Sequence, residues 1–401
     1  MTGLVVLFTN NTLAERAGSE LYVRDLAVAL MRRGHRPMAY SPRLGAVADE
    51  LRVAGVIVVD DPADVPLTPH VIHGQHNLTA MTAMLAHPGV PAIYLCHGTT
   101  SWVELVPGYP AIRQYVAVGE GTRDRVVELT GVPPEDVLIV PNFVEMSRFP
   151  RRGRLPDRPR SVLVLSNTAM LGNYAGVVKE AGRVRGLDVR IAGARSGDPL
   201  TEVGEAMRQA DLVVAKGRTA LEAMASGCAV IVADTWGLSG MVTAADLDHL
   251  RRRNLGIGSQ TRPVTAQTFL AELDRYDRDD AAVVTDRIRA EADLEDVVDR
   301  WEEIYGDVVR QGTPTDVDGA AVSAYLRGLS GVIDKHEALR NHAREQSERL
   351  AQAANPRLIA RQQAALVARR EELTYLSSTR GSALTLARAL AAAGRRRFRR
   401  R

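Results

Sequence analysis

The sequence predicts a protein of two α/β lobes, each built on a doubly wound parallel β-sheet. Apolar runs of four to six residues alternate with helical segments over residues 4–140, and the same alternation begins again at residue 161. Between the two series, a run rich in Pro, Arg and Gly (PRRGRLPDRP) shows no periodicity and is typical of an interdomain linker. A chain of 401 residues also exceeds what one hydrophobic core usually serves.

In the first series, residues 4–9 (LVVLFT) are predicted to form a buried strand, with a polar loop at its carboxyl end over residues 10–18. Residues 20–33 place leucines and alanines on one face and precede Gly34, a pattern typical of a helix and its end. The remaining predicted strands of this series are 37–41, 56–59, 71–73, 92–96, 115–118 and 137–140, and the remaining predicted helices are 77–86 and 122–130.

The second series contains residues 211–234 (DLVVAKGRTALEAMASGCAVIVAD), which predict a strand, a turn, a helix and a second strand. The turn, Lys216-Gly217-Arg218-Thr219, places a helix N-terminus at the carboxyl end of a parallel sheet. Free N–H groups and the helix dipole at such a corner bind phosphate, and a glycine lets the backbone approach a ligand closely. We therefore expect an anion site at this turn.

Glu222 is an unusual residue, because it lies about one turn into a helix whose other positions are Ala, Leu and Met. A carboxylate there is placed to accept hydrogen bonds from the two ribose hydroxyls of a nucleotide whose diphosphate occupies the turn. The alternative is a solvated acid on the helix surface.

The later part of the chain is predicted to be helical. Residues 293–309 place Leu294, Val298, Trp301 and Tyr305 on one apolar face, and residues 320–376 continue as helix with a break at Pro356. The predicted organisation is a first lobe (1–150), a linker (151–160), a second lobe (161–290), a crossover helix (291–311) and a helical extension with an Arg-rich tail (312–401).

Composition and charge narrow the class of protein. Apolar residues make up 45% and charged residues 25%, which is ordinary for a soluble globular protein. Cys96 and Cys228 lie in apolar runs and are expected to be buried thiols of a cytoplasmic protein, and no signal peptide or membrane span is indicated. Eight arginines lie between Arg380 and Arg401, and without them the formal net charge of +3 becomes −5. This charge distribution argues against nucleic acid as a partner of the two lobes.

The Arg-rich tail itself has two interpretations. It is either an unordered solvated end or a peripheral attachment to anionic lipid headgroups at the inner face of a membrane, where each arginine contributes about 1 kcal/mol. The helical extension before it is a candidate for forming an oligomer.

Five segments of the sequence resemble motifs of a known protein family. They are AGSE followed by LAVALMRRGH (17–20 and 26–35), CHGT (96–99), YVAVGEGTRDRV (115–126), VLIVPNFVEMSRF (137–149) and GRTALEAMASGCAVIVAD (217–234). In this order, over roughly residues 4–310, the chain resembles the family 4 retaining glycosyltransferases of GT-B fold. The resemblance implies two Rossmann-like lobes facing a cleft, the first for an acceptor and the second for a nucleotide-sugar donor.

The same resemblance implies roles for individual residues. Glu222 matches the second glutamate of the family's Glu, seven residues, Glu motif and would hold the donor ribose. The Gly18 backbone would approach the donor phosphates, and His97 would contact the donor sugar or its phosphates. The resemblance also implies that the transfer has no obligatory metal. It uses no cofactor, because the nucleotide sugar is itself a substrate. Fixed dipoles and cations of the protein must then stabilise the negative charge that develops on the departing nucleoside diphosphate.

Two departures from the family pattern matter. Val214 stands eight residues before Glu222, so the first glutamate is missing. The second lobe begins SNTAMLGNYAG (166–176), without the Arg and Lys that grip the diphosphate in many members. Lys216 and Arg218 are the candidates to replace those bases, and the alternative for both is a solvated loop charge.

The sequence therefore predicts a metal-independent glycosyltransferase of glycan or glycoconjugate biosynthesis. His97 and Glu222 are its predicted catalytic residues, and the donor site comprises Gly18, Lys216, Gly217, Arg218, Thr219 and Glu222. A glycan or lipid-linked acceptor would enter along residues 10–18 and 97–102. The alternative for His97 is a structural histidine, and His73 with His76 has the spacing of a metal pair but lacks a nearby third ligand.

Two other functions remain open at this point. A nucleotide-sugar epimerase on the same fold would need an acid and base pair, and the first lobe shows no carboxylate at a strand end as persuasive as His97. A degenerate transferase serving as a scaffold or complex subunit would explain the missing glutamate and the missing basic pair.

Overall fold

The structure is a computed structural model, and it describes residues 3–312 and 316–352. Its first lobe contains a seven-stranded sheet in which every strand is parallel to its neighbours. The strands are β1 (Val5–Thr9), β2 (Arg36–Tyr40), β3 (Ile57–Val59), β4 (Val71–Gln75), β5 (Ala92–Cys96), β6 (Ile112–Ala117) and β7 (Val137–Ile139). Their spatial order is β3-β2-β1-β4-β5-β6-β7. The helices of this lobe are α1 (Gly18–Arg32), α2 (Ala46–Val53), α3 (Asn77–Ala86) and α4 (Glu120–Thr130).

The second lobe contains a five-stranded sheet made of β8 (Ser161–Leu165), β9 (Asp188–Ala192), β10 (Leu212–Ala215), β11 (Ala229–Asp234) and β12 (Gly237–Met241). Its spatial order is β12-β11-β10-β8-β9, and only β12 within this sheet is antiparallel to its neighbour. The helices from this lobe onward are α5 (Tyr174–Val184), α6 (Val203–Gln209), α7 (Gly217–Ala225), α8 (Leu247–Arg252), α9 (Ala266–Leu273), α10 (Arg278–Glu291), α11 (Leu294–Gln311) and α12 (Gly319–Gln352).

The predicted fold class is confirmed, because both lobes are doubly wound sheets with helices on both faces, and every strand except β12 is parallel to its neighbours. The inner strands β1, β4, β5, β10 and β11 are buried throughout, since each face of their sheets packs against a separate apolar cluster. The sequence did not predict β12, whose GLSGM sequence is too rich in glycine to show a strand pattern. The segment 151–160 contains neither helix nor strand.

Helix α11 returns to the first lobe after the chain has completed the second. Its apolar face, which includes Leu294, Val298 and Trp301, is buried in the same cluster as residues of α1 and β1. The Trp301 indole donates a hydrogen bond to the Tyr22 hydroxyl at 2.9 Å, so a polar group at the centre of this packing is satisfied. The last part of the second series therefore completes the core of the first lobe.

The first turns of α12 also cover the first lobe. Val322 and Leu329 are buried in the cluster that includes α3, and the Tyr325 hydroxyl donates to Asn77 Oδ1 at 3.0 Å. Among the described residues, no helix combines the length and the apolar character that crossing a membrane requires. The predicted break at Pro356 and the Arg-rich tail lie outside the described residues.

We expect Trp301→Ala to lower the free energy of unfolding by about 3–5 kcal/mol, because it opens a cavity in the first-lobe core and leaves the Tyr22 hydroxyl without its donor. Urea denaturation followed by circular dichroism measures this change. Trp236→Ala is the matched control, since the Trp236 side chain is 61% exposed while Trp301 is 0% exposed. The control should stay within about 0.5 kcal/mol of wild type, and equal losses would contradict the packing described for α11.

Candidate functional site

A cleft of about 940 Å³ lies between the carboxyl ends of the two sheets and receives residues from both lobes. Its first-lobe wall includes residues 15–19 and 97–100, and its second-lobe wall includes residues 166–168 and 216–219. The predicted catalytic and donor-site residues all line this cleft, namely Gly18, His97, Lys216, Gly217, Arg218, Thr219 and Glu222. Of the predicted acceptor path, residues 15–18 and 97–100 line the cleft, whereas residues 10–14 and 101–102 are not among its lining residues. The sequence therefore selected residues that the fold brings together, and their individual roles stay predictions.

Two helix N-termini face the cleft. Helix α1 begins at Gly18 and helix α7 begins at Gly217, and neither has a side-chain cap. Within the described residues, no acceptor pairs with the backbone N–H groups of Ser19, Arg218 or Thr219. Unpaired N–H groups at two helix N-termini make both walls of the cleft favourable for an anion.

The α7 corner differs in detail from the sequence prediction. Gly217, Arg218 and Thr219 form the first helical turn instead of a loop before it. The Gly217 N–H donates to the Leu255 carbonyl at 2.9 Å and is not available to a ligand. Glycine is favoured there because φ is +52°, and not because of crowding, since the nearest atom to an added Cβ would be the Asn254 carbonyl oxygen at 4.0 Å.

Arg218 and Glu222 form a buried ion pair on one face of α7. Arg218 is 7% exposed and Glu222 is 5% exposed, and Nε of Arg218 donates to Oε1 of Glu222 at 2.8 Å. Burial raises the pKa of Glu222, and the adjacent positive charge of Arg218 opposes that effect. The interpretations of Glu222 as a solvated surface acid and of Arg218 as a solvated loop charge are therefore wrong.

Arg218 also contacts the first lobe through Asp25 of α1, which is paired with its Nη2 atom. Asp25 accepts further hydrogen bonds from Nε of Arg24 at 2.7 Å and from Nη1 of Arg148 at 3.2 Å. Sequence reasoning did not find Asp25, because one acid in a helix ordinarily indicates a solvated position and its partner Arg218 is 193 residues away.

Lys216 lies at the N-cap of α7 and forms an ion pair with Asp234, the last residue of β11. The Lys216 side chain is partly exposed, whereas Asp234 is buried. Its charge is therefore compensated from within the second lobe, and the ammonium group remains at the cleft surface.

His97 follows β5 directly, and its position is fixed by three contacts. Its Nε2 atom is paired with Oε1 of Gln75, its backbone N–H donates to Oε2 of Glu104 at 3.1 Å, and its ring meets that of Tyr22 edge-on at 4.9 Å. Because the Gln75 oxygen can only accept, Nε2 carries the hydrogen in this arrangement. The Nδ1 atom is then an acceptor.

His97 is uncharged at neutral pH. Burial lowers its pKa to about 4, the Glu104 carboxylate opposes this shift, and the charges of His76 and Arg218 lower the pKa further. An uncharged imidazole beside an arginine can hydrogen-bond a sugar without adding a cation to the site.

Glu104 is a cleft residue that sequence reasoning missed. It is buried beside His97, and although burial raises its pKa, His76 and the His97 N–H lower it below the ordinary value overall. It is therefore an ionised carboxylate of the first lobe beside His97, although it lies in a short helical turn after β5 and not at a strand end, where the sequence reasoning looked for an acid. The signal was present as an acid within the apolar run WVELV (102–106).

His73 and His76 do not form the metal pair that their spacing suggests. His73 is a core residue whose Nδ1 atom is 2.6 Å from the Tyr305 hydroxyl oxygen, and His76 Nδ1 accepts the Asn11 N–H at 3.1 Å. In the part of the chain that the structure describes, no group of three or more His, Cys, Asp or Glu residues could hold a metal ion.

The cleft and the two sheets define the class of fold. Two Rossmann-like lobes whose parallel strands end at a common cleft, followed by a helix that returns to the first lobe, form the GT-B fold. The predicted GT-B fold is thus confirmed.

Comparisons with known proteins agree with this class. Residues 65–148 match the sequence profile of Glycosyltransferase Family 4, and no curated protein matches the chain significantly. A glycosyltransferase from Rickettsia africae has a TM-score of 0.58 at 13% identity, covering 77% of this chain and 99% of its own. The Anabaena protein HepE, in complex with UDP and glucose, has a TM-score of 0.56 at 14% identity, covering 76% of this chain and 100% of its own.

A third similar structure is sucrose-phosphate synthase from Thermosynechococcus elongatus, with a TM-score of 0.53 at 12% identity, covering 77% of this chain and 100% of its own. Sequence identities this low show a shared fold, and the activity must be argued from the cleft itself.

The depressed pKa of His97 predicts a pH-dependent stability. The unfolded His97 binds a proton near pH 6.5 and the folded one at about 4, so lowering the pH from 7.5 to 5.0 favours unfolding by about 2 kcal/mol through this residue. Urea unfolding at both pH values should show wild type losing about that much more stability than His97→Gln. The exposed His249→Gln variant should behave like wild type. Parallel losses in wild type and His97→Gln would show that His97 titrates normally.

Proposed function

We propose that this protein is a glycosyltransferase that moves a sugar from a nucleotide sugar to an acceptor, with retained anomeric configuration and without a metal. The observation that carries the proposal is the pair of uncapped helix N-termini, one from each lobe, that line one cleft, with a buried carboxylate about one turn into the second helix. A nucleoside diphosphate needs these two things, fixed donors for its phosphates and a carboxylate for its ribose hydroxyls.

The donor would lie on the second lobe. Its diphosphate would accept the N–H groups of Arg218 and Thr219, and its ribose would donate to the Glu222 oxygen that does not contact Arg218. Lys216 is partly exposed at the same corner and would stabilise the charge that develops on the departing phosphate.

The sugar would face His97 and the first lobe. The Nδ1 atom of the uncharged His97 ring can accept a hydrogen bond from a sugar hydroxyl, while Nε2 is held by Gln75. Front-side transfer in such a cleft requires placement and phosphate stabilisation, and we assign no covalent nucleophile. The HepE structure, which contains UDP and glucose, supports a nucleotide-sugar donor for a cleft of this shape.

A glycan or lipid-linked acceptor of glycan or glycoconjugate biosynthesis would enter along residues 10–18 and 97–102. Glu104, ionised and buried at this side of the cleft, would accept a hydrogen bond from an acceptor hydroxyl.

A nucleotide-sugar epimerase is the second candidate function, and the contact between Glu104 and His97 favours it. An epimerase needs an acid and a base at the sugar. The ionised Glu104, whose Oε2 atom accepts the His97 backbone N–H, would serve as the base, and the acid would come from another group because the His97 ring is uncharged. A transferase releases nucleoside diphosphate in proportion to the acceptor consumed, whereas an epimerase changes the sugar and keeps the nucleotide bond.

Calorimetric titration with UDP, GDP, ADP and TDP, followed by a screen of the matching nucleotide sugars for released nucleotide, tests the proposal. We expect binding of one or more of these nucleotides and acceptor-dependent release. A protein that binds none of them is a scaffold, and a protein that interconverts free nucleotide sugars is an epimerase.

We expect Glu222→Ala to weaken nucleoside diphosphate binding by about 1–3 kcal/mol, because a buried carboxylate that accepts the ribose hydroxyls is lost. Glu205→Ala is the control, since Glu205 is an exposed acid on the neighbouring helix α6. Calorimetry should find the control unchanged. An unchanged dissociation constant for Glu222→Ala would remove this residue from the site.

The C-terminal region is proposed to contact the inner face of a membrane through its Arg-rich tail, and to form an oligomer through α12, which leaves Leu326 and Ile333 exposed. The full chain should sediment with phosphatidylserine vesicles and remain free of phosphatidylcholine vesicles, whereas a chain ending at Gly381 should sediment with neither. Equal sedimentation of the two chains with the vesicles would contradict the lipid contact. A full chain that is monomeric in sedimentation velocity would contradict the oligomer.

A further inference from the structure

The guanidinium group of Arg218 is held by one carboxylate from each lobe. Its Nε atom donates to Glu222 within α7 at 2.8 Å, and its Nη2 atom is paired with Asp25 of α1, on the other side of the lobe junction. Arg218, Asp25 and Glu222 are all buried. Separation of the lobes would break the Asp25 contact and leave the Glu222 contact intact.

The remaining donor of Arg218 lacks a partner. Its Nη1 atom is buried and has no hydrogen-bond acceptor among the described residues, although Arg218 lines the cleft. The Phe143 ring lies 5.1 Å from the Cζ atom and covers one face of the group, which restricts how the guanidinium can turn. A buried N–H without an acceptor is costly, and a bound anion would remove that cost.

The surrounding ion network has an excess of positive charge. Its members share carboxylates with one another and comprise four arginines and three acids, namely Arg16, Arg24, Arg148, Arg218, Asp25, Glu50 and Glu222. The acids therefore leave one positive charge without compensation inside the network. All four arginines line the cleft, so the excess charge lies at its wall.

We propose that Asp25 is a positioning residue for anion binding: from the first lobe it holds Arg218 so that Nη1 donates to a phosphate of the bound nucleoside diphosphate. Arg218 is then correctly oriented for the phosphate only when the two lobes are close enough for Asp25 to contact it. The inference rests on the proposed function in one respect, the presence of a diphosphate in the cleft.

Charge and positioning predict opposite effects of changing Asp25, which makes the proposal testable. Asp25→Asn removes a negative charge from the neighbourhood of the anion, so by charge alone it should strengthen anion binding. If Asp25 positions Arg218, the same substitution should weaken binding despite the favourable change in charge.

Calorimetry with inorganic pyrophosphate in metal-free buffer measures the effect without depending on the identity of the base. We expect Asp25→Asn to bind pyrophosphate about 10-fold more weakly than wild type, which corresponds to the loss of one charge-assisted hydrogen bond. Glu50→Gln is the matched control, because it removes a carboxylate from the same network that pairs with Arg16 and Arg24 and does not contact Arg218. The control should bind pyrophosphate as tightly as wild type or more tightly.

A second variant, Arg218→Lys, tests the same inference in case Asp25→Asn does not fold. Arg218→Lys retains the charge but replaces the planar fork with a single ammonium group, which cannot serve Glu222, Asp25 and a phosphate in the same geometry. We expect a comparable loss of affinity in this variant. In an Arg218→Gln background, Asp25→Asn should cause no further weakening, because the residue that it positions is already gone.

The outcomes separate this inference from the proposed function. Undetectable binding of pyrophosphate to wild type, or binding to Asp25→Asn or Arg218→Lys at wild-type strength or tighter, would overturn the role of Asp25. The expected pattern without turnover of any nucleotide sugar would leave the role of Asp25 standing and overturn the transferase. Turnover of a nucleotide sugar by the wild-type protein, together with wild-type pyrophosphate binding by Asp25→Asn, would support the transferase and overturn the role of Asp25.

Discussion

A charge buried at the junction of two lobes must be compensated at that junction, and Arg218 meets this requirement with one carboxylate from each lobe. The arrangement of the cleft depends on it, because Arg218 stands in the first turn of α7 and Asp25 stands in α1. The pair therefore keeps the N-termini of the two helices on opposite walls of one cavity. Lys216, His97 and Glu104 occupy positions around it, each compensated or desolvated by its own neighbours.

Much of the fold could be predicted from local patterns. Strands buried on both faces appear in the sequence as short continuous apolar runs, and their alternation with helices implies parallel sheets whose carboxyl ends face a common edge. The same logic placed His97 and Gly217 at the cleft, because His97 follows directly on a predicted strand and Gly217 stands in the turn after another, whereas Gly18 was selected by the family resemblance.

The electrostatics of the site could not be predicted in this way, because they depend on pairs of residues far apart in the chain. Nothing near Asp25 indicates that its partner is Arg218, and nothing near Gly217 indicates that Leu255 takes its N–H. Glu104 is closer to detection, since an acid within an apolar run ordinarily signals a buried carboxylate with a partner. Such pairs arise from tertiary packing, which a pattern of period two or 3.6 does not encode.

The return of α11 has a consequence for how the protein is made. A ribosome delivers the first lobe's strands early, yet the Trp301 indole and the Tyr305 hydroxyl, which contact Tyr22 and His73 in its interior, leave the exit tunnel only after the entire second lobe. Until then the nascent first lobe exposes the apolar surface that α11 later covers. The first lobe can therefore complete its folding only after the second lobe and α11 have been translated. A gene fragment ending at the linker would encode a first lobe whose hydrophobic core lacks the α11 residues.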